Sequence, residues 1–131
     1  MTKYQAYDRF WNSFGIPAYD QLTVPQEIFD EATQKMIPLR PPYLTYEGAF
    51  DDFGNELALT ASLWYRSDSW SEITAKADEI GERIGRGGEK VKYDGGAFEI
   101  QKRKPFMQRM DDPDDDTIRR VILQYSIEYQ D

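Results

Sequence analysis

Two residue types are missing from this 131-residue chain, which contains no cysteine and no histidine. Without cysteine there is no disulfide framework and no thiolate metal site. Without histidine the chain lacks the commonest general base near neutral pH and the commonest transition-metal ligand. Together these absences exclude Ser/His and Cys/His catalysis and nearly all zinc chemistry. The sequence therefore predicts a protein that is not an enzyme and that needs no cofactor.

Long apolar runs and an excess of positive charge are also missing. No run of about 18 apolar residues occurs, which excludes a membrane-spanning helix. The N-terminal sequence MTKYQAYDRFW lacks the basic-then-apolar layout of a signal peptide, so intracellular residence is the expectation. The 16 Lys and Arg residues stand against 24 Asp and Glu, a formal net charge of −8. That balance argues against a protein that wraps nucleic acid.

The composition supports one packed domain. Hydrophobic residues make up 40% of the chain and aromatic residues 15%, and a chain of this length fits a single ordinary domain. We predict one domain over residues 1–131, with an irregular insertion around 16–42 that holds five of the seven prolines. For this insertion two interpretations stay open. It forms a short helix over 25–36, or it is an extended segment that lies against a neighbour.

Two segments have the pattern of amphipathic helices. The first is predicted over 3–14, with Thr2 as its N-cap, because aromatic residues recur there at intervals of three and four. The second is predicted over 70–84, where Ser69 and Glu72 have the spacing of a capping box and apolar residues follow on one face.

The rest of the chain alternates apolar and polar residues, as strands do. We predict strands over 43–50 and 57–66, joined as a hairpin, and two longer strands over 97–110 and 117–129, joined as a second one. The glycine-rich stretch 85–96 is predicted to be a flexible connection or small ribbon. The fold class is thus α+β, in the order helix, β-hairpin, helix, long β-hairpin, with a mostly antiparallel sheet and two helices packed on one face.

Two helices cover only one face of such a sheet, yet the second face also carries large apolar side chains. In a lone domain they would form a patch of the size that marks interfaces. We therefore predict self-association, which gives a ring when the rotation between copies closes. The alternative is that the insertion at 16–42 covers this face. The predicted interface residues are Tyr46, Phe50, Trp64, Phe106, Ile118 and Ile122.

Three other segments fit either a purely structural role or a functional one. The acidic segment 111–116 lacks the ligand spacing of a calcium loop, so it is predicted to be a solvated turn. The glycines at 85–88 follow a helix and lack the Gly-Lys-Ser/Thr of a phosphate loop, so they are predicted to end the helix and form a flexible loop. Cations between 90 and 109 have aromatic neighbours, but the acidic chain as a whole favours an exposed ribbon over a nucleic-acid site.

The chain resembles tail-completion proteins of long-tailed bacteriophages and prophages of Gram-positive bacteria in PPYLTYE (41–47), DDFGNELALTASLWYRSDSWSEITAKADEIG (51–81) and DDPDDDTIRRVILQYSIEYQD (111–131). The tail terminator group is the best fit, and minor capsid and head–tail joining proteins share much of the pattern. The segments cover most of the chain except the insertion near 26–40. They are structural segments and include no catalytic signature.

The resemblance implies an α+β subunit in a hexameric ring that terminates the tail tube and docks the head connector. Its partners would be copies of itself, the major tail tube protein and the head–tail connector protein, within the virion at the head–tail junction. The loop 85–96 and the hairpin 97–110/117–129 would contact tube subunits or neighbours. DNA would pass through the lumen without sequence-specific binding. Acidic residues facing that lumen or solvent would be Asp111, Asp112, Asp114, Asp115 and Asp116.

Other functions remain open. Within the same class, the chain would be a head–tail connector or stopper, or a minor capsid protein. From a different class, it would be a small nucleic-acid-binding α/β module that uses the basic residues of its long hairpin.

Overall fold

The structure is a computed structural model that describes residues 1–50, 54–111 and 114–131. It confirms the α+β class, with two helices and a larger share of strand. The elements in chain order are α1 Lys3–Trp11, a 3-10 turn Asn12–Phe14, β1 Ala18–Asp20, β2 Glu27–Asp30, β3 Lys35–Pro38, β4 Tyr43–Tyr46, β5 Glu56–Arg66, α2 Ser71–Ile84, β6 Glu89–Tyr93, β7 Gly96–Met110 and β8 Ile118–Tyr129.

The main sheet has six strands in the order β1-β4-β5-β8-β7-β6. Strand β1 pairs with β4 in parallel, and the other neighbours pair antiparallel. The predicted order of helix, hairpin, helix and hairpin is therefore incomplete. It lacks β1 and β6 at the two edges of the sheet and the separate hairpin of β2 and β3.

Of the two interpretations of the insertion, the helix over 25–36 is wrong and the extended conformation is correct, because this stretch forms the antiparallel pair β2 and β3. Asp30 makes the turn between them, since its carboxylate accepts hydrogen bonds from the Ala32 backbone N–H at 3.1 Å and the Thr33 hydroxyl at 3.0 Å. Asp favours turns through such local bonds. Gln34 completes the reversal at a φ of 57°. We call β2, β3 and the turn between them (27–38) the arm.

Helix α1 begins as predicted. The Gln5 backbone N–H donates to the Thr2 hydroxyl at 3.1 Å, and the Thr2 N–H donates back to the Gln5 side chain at 2.9 Å. This reciprocal capping box satisfies two N–H groups that have no partner inside the helix. The helix tightens into the 3-10 turn and ends at Gly15, whose φ is 83°.

Helix α2 begins one residue later than predicted, and its capping box does not form. Trp70 is the N-cap and makes no side-chain capping bond. The Ser69 hydroxyl instead accepts from the Ser71 backbone N–H at 3.1 Å. The centre of the Trp70 ring lies 5.1 Å from the Arg109 guanidinium and 5.3 Å from that of Arg119, so cation–π contacts hold this end of the helix against the long strands.

One face of the sheet packs against both helices and forms a single core. The centre of this core is aromatic: the Trp11 ring lies 5.0 Å from the Tyr125 ring and 6.5 Å from the Tyr46 ring, between centroids. Helix α2 contributes four aliphatic side chains, Ile73, Ala77, Ile80 and Ile84. The opposite face of the sheet carries neither helix, and we call it the open face.

The connection from α2 to β6 contains a glycine that no other residue replaces without strain. Gly88 has a φ of +87°, and a Cβ there would lie 2.7 Å from the Ile100 backbone oxygen. We expect Gly88→Ala to lower the free energy of unfolding by about 1–3 kcal/mol, through strain and backbone displacement. Gly87→Ala is the matched control, because a Cβ at Gly87 meets no atom within 4 Å. Urea denaturation measures both, and equal losses would contradict the assignment of strain to Gly88.

Candidate functional site

The open face is defined by the pairing of the strands. Side chains alternate between the two faces along each strand. Register places Trp64 of β5 beside Tyr43 of β4 and Arg120 of β8, all on the open face. Ile118 and Ile122 lie two residues before and two residues after Arg120 on β8, so their side chains are also on the open face.

The aromatic patch on this face is held in place by contacts within the chain. The Tyr43 and Trp64 rings stack at 6.2 Å with 21° between their planes, and the Tyr19 ring lies 6.2 Å from Tyr43. The Trp64 indole N–H donates to the Thr45 hydroxyl at 3.1 Å. The Arg120 guanidinium lies 4.6 Å from the centre of the Trp64 ring. The patch, which comprises Tyr19, Tyr43, Trp64, Ile118 and Ile122, remains half-buried in the single chain.

The structure therefore places Trp64, Ile118 and Ile122 on the open face, which is the second face on which they were predicted to lie. Tyr46 does not, since it is fully buried and its ring meets Tyr7 at 5.3 Å in the core. The pairing of β4 with β5 explains why Tyr46 faces the core. Tyr46 pairs with Ala61, a core residue, so its side chain points toward the helices.

Phe50 and Phe106 also lie on the helix side. The Phe50 ring packs at 5.7 Å from Tyr7 and at 5.9 Å from Tyr129. Phe106 sits in a register irregularity between Lys102 and Met107, and its ring would be 3.1 Å from a Cβ added at Gly81 of α2. Phe50 thus lies on the helix side, which corrects its placement on the second face, and the predicted interface residue Phe106 packs against α2.

The arm presents an apolar pair of its own. Phe29 and Met36 are direct cross-strand partners, and they are 54% and 57% exposed. A two-stranded hairpin has little stability by itself in water. The insertion thus leaves its largest apolar side chains uncovered.

The acidic segment between β7 and β8 is described only in part. Asp112 lies outside the described residues, and Asp111, Asp114 and Asp116 are exposed. Asp115 builds the turn: it accepts from the Thr117 hydroxyl at 2.6 Å and from the Thr117 N–H at 2.9 Å. These hydrogen bonds lower the pKa of Asp115, with a smaller contribution from Arg66 at 3.3 Å.

A buried cluster of tyrosines joins α1 to the sheet. The Tyr7 hydroxyl donates to the Glu47 backbone oxygen at 2.6 Å and lies 2.5 Å from the Tyr125 hydroxyl. Burial raises the pKa of Tyr7 and of Tyr125 far above neutrality. Both hydroxyls stay protonated, so they tie the helix to the sheet and are poorly suited to proton transfer near neutral pH.

Within residues 1–50, 54–111 and 114–131, no group of three or more acidic side chains converges closely enough to hold a metal ion. Neither helix in that part of the chain has the length and apolar character needed to cross a membrane.

The chain was compared with protein-family models, with curated proteins and with solved structures, and none of the three comparisons found a match. The function is therefore inferred from the geometry of the described residues.

Proposed function

We propose that this chain is a structural virion protein whose copies form a ring that terminates a phage tail tube and helps join the tail to the head. The observation that carries the proposal is the aromatic patch. Trp64 and its neighbours are rigidly placed, half-buried and on the face that carries neither helix. A pre-positioned aromatic surface of this kind is the usual anchor of a protein interface.

The arm supports the same function. Phe29 and Met36 form a second apolar surface, on a two-stranded sheet distinct from the six-stranded sheet that carries the patch. A molecule with two different apolar surfaces makes head-to-tail contacts. These contacts close into a ring when a whole number of equal rotations between copies completes 360°. The resemblance suggests six copies, with the tail tube protein and the head–tail connector as partners, a place at the head–tail junction, no catalysis and free passage of DNA.

The test is the native mass of the purified chain over a range of concentrations, with imaging for ring symmetry. We expect one closed species of constant copy number. A second measurement adds that species to polymerising tail tube protein, where it should stop elongation at substoichiometric amounts. A mass equal to one chain at every concentration would overturn the proposal.

A connector or stopper ring, or a minor capsid protein, is the alternative within the same class. Such a protein would form a ring or bind the head side but would leave tube elongation unchanged. The two measurements above therefore separate it from a terminator.

A nucleic-acid-binding module is the candidate from another class, and one observation favours it. Arg86, Lys102, Arg103 and Lys104 surround a cavity of about 320 Å³ beside Phe106. Cations with an interleaved aromatic side chain suit a phosphate backbone and a stacked base. Salt-dependent binding of DNA by the wild-type chain, lost in Lys104→Glu, would support this function; no binding at low salt would remove it.

A further inference from the structure

Three glutamates stand side by side across the open face. Register places Glu56 of β5 and Glu99 of β7 on either side of Glu128 of β8. Like charges directly opposite each other on neighbouring strands destabilise a sheet. We call Glu56, Glu128 and Glu99 the glutamate row.

The chain compensates this row only weakly. Arg103 approaches Glu56 at 4.0 Å, and Lys90 is the cross-strand partner of Glu99. Glu128, in the middle, has no ion pair with any residue that the structure describes. The row is therefore a surface on which a cationic partner would relieve repulsion.

A cationic groove lies on the other side of the sheet, between α1, the end of α2 and β6. Its volume is about 330 Å³, and Arg9 and Arg83 line it together with apolar side chains that include Phe10 and Val91. We call these four residues and the space between them the cationic groove.

Arg83 is held in position at the groove. Its guanidinium donates to the Ser13 hydroxyl at 2.7 Å, lies 3.4 Å from Glu89 and stacks 5.0 Å from the centre of the Phe14 ring. Arg9 is exposed and pairs with none of the described acidic residues. The groove thus combines one fixed cation with one available to a partner, in a chain whose net charge is −8.

The two surfaces are at the same end of the sheet on opposite faces. Val91 in the groove pairs with Phe98, the strand residue directly before Glu99 of the row. A second copy stacked in the same orientation would bring its open face against the helix side of the first. Its glutamates would then meet the cations of the groove.

We propose that the cationic groove of one copy binds the glutamate row of the next copy, and that this charge pairing sets the head-to-tail contact of the ring. The inference rests on the self-assembly proposed above and specifies which surfaces meet. The groove and the row are different surfaces of one chain, so the contact repeats from copy to copy and closes only as a ring or continues as a filament.

The test uses charge reversal with rescue, read out by native mass. Arg9→Glu alone and Glu128→Arg alone should each raise the concentration at which half of the chain is assembled by about tenfold or more. An equimolar mixture of the two variants should assemble again, because each junction of an alternating ring then joins opposite charges. The chain that carries both substitutions should also assemble. High salt should weaken the wild-type assembly, as it screens exposed ion pairs.

Arg40→Glu and Asp68→Arg are the matched controls, since both residues are exposed and lie outside the groove, the row and both helices. They should leave the mass unchanged. The inference is overturned if single reversals leave the wild-type mass, or if they reduce it and neither rescue restores it. DNA binding that Arg9→Glu abolishes at unchanged mass would also overturn it. If the wild-type chain never assembles, the proposed function fails with it.

Discussion

Replacement of Trp11 with alanine is expected to lower the free energy of unfolding by about 3–5 kcal/mol, the usual cost of removing a large aromatic side chain from a core. Trp11 is 0% exposed. Its ring meets those of Phe10 and Tyr125 at 5.0 Å and that of Tyr46 at 6.5 Å. The substitution would thus remove packing against α1, β4 and β8 together and leave a cavity where helix and sheet meet.

Tyr4→Ala on the same helix is the control for this variant. Tyr4 is 44% exposed, and among the described residues its one ring neighbour is Phe50 at 5.7 Å. Its removal should cost about 1 kcal/mol or less. Urea denaturation followed by far-ultraviolet circular dichroism measures both. A loss in Trp11→Ala no greater than in Tyr4→Ala would mean that the aromatic centre does not carry the stability assigned to it.

The second large effect is expected at Trp64. Trp64→Asp should shift the native mass from the ring toward the single chain, with a rise of at least about 30-fold in the dissociation constant of the contact. The substitution places a charge in the middle of the aromatic patch, where a partner would have to desolvate it without a matching cation. Light scattering and native mass measurement follow the change.

This variant also disturbs the packing of its own chain, because Trp64 stacks on Tyr43 and carries Arg120 on its other side. Ile122→Asp tests the same surface without removing this aromatic stack. Leu22→Asp is the control for a new surface charge, because Leu22 is 85% exposed and lies outside the aromatic patch, the arm and both helices. If both open-face variants keep their thermal unfolding cooperative and still form the wild-type ring, the aromatic patch is not the interface.

Sequence reasoning succeeded where one local signal fixed an element. Thr2 as an N-cap and a helical aromatic repeat located α1, and strict alternation located β5 and β8. It failed for β1, since a three-residue strand paired in parallel depends on a distant partner. It could not choose between a helix and an extended segment for the arm, because strands of four residues are too short to distinguish a strand period from a helical one.

The sequence predicted the sheet face of a candidate interface residue where the alternation of a long strand determines that face. Trp64, Ile118 and Ile122 belong to long strands, whose alternation determines which face each side chain occupies. Tyr46 belongs to a four-residue strand, where a shift of one residue moves a side chain to the other face. The glutamate row and the cationic groove were missed altogether, because each joins residues from separate elements that only the sheet order brings together.

The three tryptophans occupy three different surroundings, and this gives the chain its own optical reporters. Trp11 is enclosed in the core, Trp64 lies in the aromatic patch, and Trp70 contacts two guanidinium groups at the start of α2. In variants that keep a single tryptophan and carry phenylalanine in place of the other two, so that each site keeps an aromatic ring, fluorescence from Trp11 would follow folding and fluorescence from Trp64 would follow contact between copies. Trp70 would follow the docking of α2 on the long strands. Folding and assembly can thus be followed separately by intrinsic fluorescence, without any added dye.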